Sequence, residues 1–292
     1  MKQCNRRFET APVSHRSGLA IGFLYKTVPG RVLLKALIRP KTSKFAGSIL
    51  NSRATRIYIR GFIKRNNIKI DEYHKVKYRS FNDFFIREIK KELRPFPERE
   101  IDVPSPCDGK LSAYPITKDS VFQIKNSLYS VDDLLQDKGL SDEFINGTCL
   151  VFRLTPDDYH RYSYIDDGEI LHQKRINGKL HTVRPISKNK YRVYAQNARE
   201  YILMQTKNFG KVVQMEVGAL FVGRITNYAN SSTVRRGEEK GMFQFGGSSV
   251  IMLFQKDSVK LDDALYENTL RNRETIVRMG NKIGEKRLRN ES

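Results

Sequence analysis

From residue 101 onward the chain is a succession of short β-prone runs separated by turns, and this constrains its fold more than any other feature. The runs are Lys110 to Pro115, Val121 to Lys125, Thr148 to Leu154 and Glu169 to Ile176, then Arg192 to Ala195, Tyr201 to Thr206, Val212 to Val222 and Val250 to Phe254. Runs of this length and spacing predict a mostly β domain, closed by a helical or disordered tail from about residue 261. Upstream the texture differs. Residues 1–18 are polar and basic, and residues 19–70 mix apolar and basic residues at helical spacing. Val28, Val32, Leu33, Lys35, Ala36, Leu37 and Arg39 predict one helix with apolar and cationic sectors; Ala54, Ile57, Tyr58, Gly61, Phe62 and Lys64-Arg65 predict a second. Ser80 reads as the N-cap of a short amphipathic helix through Glu88. Arg94-Pro95-Phe96-Pro97 breaks it and places a boundary near residue 100. No internal repeat is visible.

The 292 residues carry 53 Lys and Arg against 32 Asp and Glu, a net charge of +21. Nucleic acid and anionic membrane surfaces are the usual partners of such an excess, and charge alone does not separate them. The chain has no zinc-finger spacing, no clear RNA-binding signature and no basic heptad helix, and no metal is expected. Cys4, Cys107 and Cys149 are odd in number, which argues against a disulfide framework and favours a reducing compartment. Leu19 to Phe23 is too short an apolar run to span a bilayer, and its continuing basic flanks argue against a cleaved secretory signal. The amphipathic stretches read either as ordinary helices on a core or as an interfacial module whose cations meet anionic lipid.

Gly246-Gly247-Ser248-Ser249 enters the apolar run Val250-Ile251-Met252-Leu253-Phe254. Alone it reads as a glycine-serine hairpin turn, or as a self-processing site at which Ser248 attacks the peptide bond before it. A serine nucleophile needs a base, commonly a histidine oriented by a carboxylate. Of the five histidines, His15 and His74 lie in the basic amino-terminal region and read as surface residues, and His172 as structural. His160 sits in a polar, aromatic cluster after the run ending at Leu154. His181 reads equally as a buried, hydrogen-bonded residue. Asp108, before Gly109, reads as a turn residue.

Taken together these residues match a family. Phe81-Asn82-Asp83-Phe84-Phe85-Ile86-Arg87, Arg94-Pro95, Ser105-Pro106-Cys107-Asp108-Gly109, Asp158-Tyr159-His160-Arg161, Asn197-Ala198-Arg199, Glu216-Val217-Gly218-Ala219, Arg236-Gly237-Glu238-Glu239-Lys240-Gly241 and Gly246-Gly247-Ser248-Ser249 occur in one order. Over roughly residues 50–257 the chain resembles the phosphatidylserine decarboxylase proenzymes. The resemblance implies an α+β fold: amino-terminal amphipathic helices (1–100), which fit peripheral docking, then a β-rich catalytic domain (101–292). It implies self-cleavage between Gly247 and Ser248 into a β chain 1–247 and an α chain 248–292, with Ser248 converted to a covalent pyruvoyl group. That ketone would form a Schiff base with phosphatidylserine and accept the electron pair as CO₂ leaves, yielding phosphatidylethanolamine. His160 would be the general base for cleavage, with Asp108 orienting it.

The expected partners are phosphatidylserine, an anionic membrane surface, the chain's own two fragments and a second copy in a homodimer, with no nucleic acid. The expected location is peripheral, on the cytoplasmic face of the cell membrane. Many family members read His-Arg-x-His, whereas this chain reads His160-Arg161-Tyr162-Ser163. Either His160 then takes both roles or His181 contributes. Arg224, where a serine is frequent, is a smaller departure. The competing reading is a catalytically dead relative that binds anionic lipid or nucleic acid; the missing histidine favours it, and the intact Gly247-Ser248, Asp108 and His160 set opposes it.

Overall fold

The computed structural model describes residues 8–12, 22–24, 27–38, 47–74, 77–119, 121–124, 127–181, 193–219, 225–228, 232–244 and 248–288. Gly247, His15 and Arg224 lie outside the described residues. The main sheet runs in the order β1 (Thr10–Pro12), β16 (Arg273–Val277), β3 (Gly109–Pro115), β6 (Thr148–Leu154), β14 (Ser248–Phe254), β10 (Gly210–Val217), β9 (Arg199–Thr206), β8 (Gly168–Ile176), β12 (Thr233–Val234). Every neighbouring pair is antiparallel. Two three-stranded sheets join it: β11 (Ile225–Asn227), β13 (Glu239–Phe243) and β7 (Arg161–Ser163); and β15 (Val259–Leu261), β17 (Lys282–Lys286) and β2 (Asp102–Pro104). A hairpin pairs β4 (Val121–Ile124) with β5 (Ser127–Ser130).

The centre of the main sheet explains the apolar runs. β14 is buried at every position, so both of its faces need partners and the sequence runs apolar from Val250 to Phe254 instead of alternating. On one face Val250 opposes Glu216 and Phe152, and the small β7–β13–β11 sheet covers them through Tyr162 and Phe243, whose rings are 4.9 Å apart. On the other face Arg153 and Val217 flank Ser249. Tyr194, Tyr129, Leu134 and the fully buried Arg199 fill that side, Arg199 donating to the Leu134 carbonyl at 2.8 Å.

Seven helices bear on the architecture. α1 (Val28–Leu37) buries Leu34 and leaves Val28, Val32 and Leu33 exposed; α2 (Ile57–Asn66) buries Ile59 and exposes Ile57 and Tyr58. Both helical expectations for this region hold. α3 (Phe81–Phe85) is capped as expected, with Ser80 Oγ accepting from the Asp83 amide at 3.1 Å. Phe81, Phe84 and Phe85 join Ile59, Tyr73, Tyr78 and Tyr159 in a second core cluster. α4 (Val131–Leu135) and α5 (Lys138–Asp142) are short and capped by Ser130 and Asp137. α6 (Val193–Gln196) corrects the strand expected at Arg192 to Ala195; Arg192 itself is outside the described residues. Tertiary packing overrides β propensity there: Tyr194 is fully buried 5.6 Å from Tyr129, and the Ala195 and Asn197 carbonyls accept from Arg199.

The tail from residue 261 is only partly as expected. α7 (Asp263–Leu270), capped by Asp262, is helical, but β16 and β17 then continue two sheets. Each pairs with a strand more than 150 residues earlier, β16 with β3 and β17 with β2, a partner no local pattern reveals. Among the described residues no helix is long and apolar enough to cross a membrane.

Candidate active site

Ser248 is the first residue of β14 and lies directly opposite Leu154, the last residue of β6. It is fully buried, and its Oγ has no hydrogen-bond partner among the described residues. A buried hydroxyl without a partner is costly, and in native structures it asks for an explanation.

Beyond Leu154 the chain turns back through residues 155–160 under the control of Asp158. The Asp158 carboxylate accepts from the Thr155 amide (2.6 Å) and hydroxyl (2.8 Å), and Lys110 Nζ from β3 donates to both of its oxygens at 2.8 and 2.9 Å. Burial raises the Asp158 pKa and Lys110 opposes that rise. This turn delivers His160 into the interior, where its ring packs against Phe85 with centroids 4.1 Å apart. The His160 carbonyl accepts from the Phe243 amide at 2.9 Å, so the residue also anchors the end of β13, the strand that leads toward Ser248.

The imidazole has a defined orientation. Nδ1 is 2.9 Å from the Asp158 carbonyl oxygen, which can only accept, so Nδ1 carries the proton and Nε2 is a bare lone pair. Nε2 is buried without a hydrogen-bond partner among the described residues. Burial, followed by the positive charge of Arg87, pushes the His160 pKa down to about 3. The ring is therefore neutral across the physiological pH range.

The Asp108 carboxylate makes its hydrogen bonds to Arg94 and Met279. Arg94 donates to it through Nε (2.8 Å) and Nη2 (2.7 Å), and the Met279 amide donates to Oδ1 at 2.8 Å. Burial disfavours the Arg94 charge, but hydrogen bonding and attraction to Asp108 outweigh it and the net direction is up. The backbone carbonyl of Asp158 is the acceptor at His160 Nδ1. Ser163, three residues beyond His160, is buried and donates to Met279 Sδ at 3.3 Å. Met279 thus joins Asp108 and Ser163 with one residue. A cleft of about 660 Å³ lined by Arg94, Tyr159, Ser163, Glu239 and Met279 opens beside them.

His181 is brought to the level of Ser248 by Asn197. Asn197 Oδ1 accepts from the His181 amide (3.0 Å), while Nδ2 donates to the carbonyls of His181 and Gly218, both at 2.7 Å. Gly218 follows Val217, the residue paired with Ser249. Burial, then Lys179, lowers the His181 pKa to about 4. His172 and His74 are exposed, His172 with its ring 5.9 Å from Tyr201. Sequence reading did not assign the Glu216–Lys240 pair, which is wholly buried on the face of the sheet that carries Ser248. Both residues lie in the family-like motifs, and a glutamate inside the β-prone run Val212 to Val222 was the available signal.

A buried hydroxyl and a bare imidazole nitrogen are the kinds of group that nucleophilic chemistry uses. The family model described as phosphatidylserine decarboxylase matches residues 81–285. The chain is 47% identical over 264 residues to phosphatidylserine decarboxylase proenzyme 2 of Clostridium acetobutylicum, covering 90% of each. It is 38% identical over 293 residues to the phosphatidylserine decarboxylase proenzyme of Clostridium perfringens (98% of this chain and 100% of the relative). With the corresponding proenzyme of Fusobacterium nucleatum it shares 36% over 274 residues, 92% of this chain and 91% of the relative. The chain belongs to the phosphatidylserine decarboxylase family.

Proposed function

We propose that this protein decarboxylates phosphatidylserine to phosphatidylethanolamine and that it makes its own reactive carbonyl from Ser248. The observation that supports this most directly is the pair of buried, unpartnered atoms, Ser248 Oγ and His160 Nε2, in a chain of this family. In the reading we favour, His160 Nε2 takes the Ser248 hydroxyl proton as Oγ adds to the Gly247 carbonyl carbon. The Gly247–Ser248 C–N bond then breaks, the nitrogen gains a proton, and an ester links Gly247 to Oγ. Loss of the Ser248 Cα proton expels the Gly247 carboxylate and leaves dehydroalanine. Its imine tautomer takes up water and releases ammonia, and the fragments are 1–247 and 248–292.

The residues present fit a pyruvoyl group: Ser248 begins a central strand, and its side chain is fully buried with no hydrogen-bond partner among the described residues. Such a group supplies an electron-accepting carbonyl when a substrate amine loses CO₂. The chain's own part is to hold that terminus between β6 and β10, to exclude water, and to keep His160 neutral for proton transfer. His181, held by Asn197, is the further candidate for the role that Ser163 cannot fill.

Residues 1–100 are proposed to dock the protein peripherally on the cytoplasmic face of the membrane. The exposed Ile57 and Tyr58 beside exposed Arg53, Arg56, Arg60, Lys64 and Arg65 give an apolar and cationic surface suited to anionic lipid. A homodimer is part of the same reading. Intact mass spectrometry tests the core of it. Wild type is expected as two fragments, the smaller blocked at its amino terminus, while Ser248→Ala and His160→Ala remain at 33.9 kDa. An uncleaved wild type that converts phosphatidylserine vesicles, or an active Ser248→Ala, would overturn it.

A further inference from the structure

Arg87 is almost completely buried and has no carboxylate partner among the described residues. Its guanidinium lies over the rings of Tyr73 (4.6 Å) and Phe84 (4.9 Å), and its Nε has no hydrogen-bond partner among the described residues. A buried charge without a counterion is expensive, so its retention needs a reason. Its remaining contacts supply one. Nη1 reaches the Phe85 carbonyl at 3.5 Å, and Nη2 reaches the carbonyls of Asp157 at 3.4 Å and Asp158 at 3.3 Å.

The Asp158 carbonyl is the same oxygen that accepts from His160 Nδ1 at 2.9 Å. Phe85, whose carbonyl takes the other arm, is the residue whose ring packs on the imidazole. Two of the contacts of Arg87, those to the Asp158 and Phe85 carbonyls, therefore end on an atom or residue that positions His160, while the others tie the guanidinium to Tyr73 and Asp157. A carbonyl has two acceptor directions, and here both are used, one by the guanidinium and one by the ring. We propose that Arg87 is a positioning residue for His160, aiming the Asp158 carbonyl so that the imidazole keeps its proton on Nδ1 and presents a bare Nε2. The proposal rests on the reading of His160 as the base for self-cleavage and deepens it.

The charge acts in the same direction as the geometry. Around His160 stand Arg87 from the end of α3, Lys110 from β3, and the Asp157 and Asp158 carboxylates of its own turn. The two cations oppose protonation of the ring; Asp157 favours it, and Asp158 is neutralised by Lys110. Removing Arg87 deletes the second-largest cause of the depressed pKa, after burial, so the imidazole pKa rises. The pH below which the base is lost then moves upward.

The test follows cleavage of precursor made by cell-free translation, in wild type, Arg87→Met, Arg87→Lys and His160→Ala, from pH 5 to 8. Arg87→Met is expected to cleave at least about tenfold more slowly at neutral pH, part of the roughly 10²- to 10⁴-fold a positioned base contributes. Its acid limb should move up toward the ordinary histidine range. Arg87→Lys keeps the charge without the planar fork, so it slows while its acid limb stays with wild type. Long-range ¹⁵N–¹H correlation on the uncleaved Ser248→Ala protein should show the Nδ1–H tautomer of His160, and a mixture once Arg87→Met is added. A wild-type rate in either variant overturns the proposal. So does equal slowing at every pH in Arg87→Met with an unchanged tautomer. If Arg87→Met fails to fold, Arg87→Lys decides by its rate and limb. Wild-type cleavage by His160→Ala would instead refute the reading of the base, a result distinguishable from failure at Arg87.

Discussion

Replacing Lys240 by methionine isolates one charge inside the protein. Lys240 and Glu216 are both fully buried; Nζ donates to Glu216 Oε2 and to Asn227 Oδ1 (3.2 Å) and stands 5.6 Å from the Tyr162 ring centre. Asn227 Nδ2 also donates to Oε2 at 3.2 Å, while Oε1 has no hydrogen-bond partner among the described residues. Burial already raises the Glu216 pKa against the lowering effect of Lys240. Methionine fills a similar volume but removes the counterion, leaving one hydrogen bond from Asn227. Breaking such a pair from one side costs about 3–5 kcal/mol, a large part of the ~5–15 kcal/mol that holds a domain together.

The deficit has a definite pH dependence. With its folded pKa raised further, Glu216 binds a proton in the folded state at pH values where the unfolded chain has released it. Stability lost by Lys240→Met is therefore small below the unfolded carboxylate pKa and full above the raised folded value. Urea unfolding at acidic and neutral pH, in the Ser248→Ala background so that one chain unfolds, measures this. Adding Glu216→Gln to Lys240→Met should recover more than half of the loss, since no charge is then buried. A Lys240→Met protein within about 1 kcal/mol of its parent at neutral pH, or a double variant no more stable than the single, would refute the reasoning.

Three other outcomes follow from the site. With His160 held near 3, wild-type precursor cleavage should stay level as pH falls from 8 to 5; an acid limb near the ordinary histidine value, about 6.5, would contradict the buried, neutral imidazole. Asn197→Ala removes three hydrogen bonds that tie His181 to Gly218, and should lower the urea-derived stability by about 1–3 kcal/mol for the backbone groups left unpaired. An effect on cleavage beyond that expected from the stability loss would place His181 in the chemistry. Gly280→Ala puts a Cβ 2.2 Å from the Pro95 carbonyl oxygen at a φ of +83°, so the 278–281 turn must shift and withdraw the Met279 amide from Asp108. A loss on the order of 2–3 kcal/mol in thermal or urea unfolding is expected, and an unchanged protein would show that this turn is free to adjust.

The central strands were legible because their chemistry is local. Thr148 to Leu154 matches β6 residue for residue, and Val250 to Phe254 needs only Ser248 and Ser249 added, since a strand buried on both faces writes itself as an uninterrupted apolar run. The Ser80 cap was visible for a similar reason: its hydroxyl and the amide it serves are three residues apart. Asp108 was harder. Its position in the chain was marked by a motif, but its partners Arg94 and Met279 are 14 and 171 residues away, and a motif does not state which side chain a carboxylate faces. The group that orients His160 is a backbone carbonyl two residues earlier, an atom every residue possesses. The same limit hid α6, where the burial of Tyr194 and the carbonyls offered to Arg199 decide the backbone.

The position of β14 bears on when the chain can be cut. On the proposed cleavage the small fragment owns the strand lying between β6 and β10, with seven residues paired to β6 and six to β10, and also β16 and β17, each flanked by strands on both sides in its own sheet. Made alone, such a fragment would offer the apolar run Val250 to Phe254 with both edges bare, a template for aggregation. Folding must therefore come before scission. Once cut, the two pieces stay interleaved like fingers of clasped hands, with freedom gained at the new chain end and nowhere else along the strand.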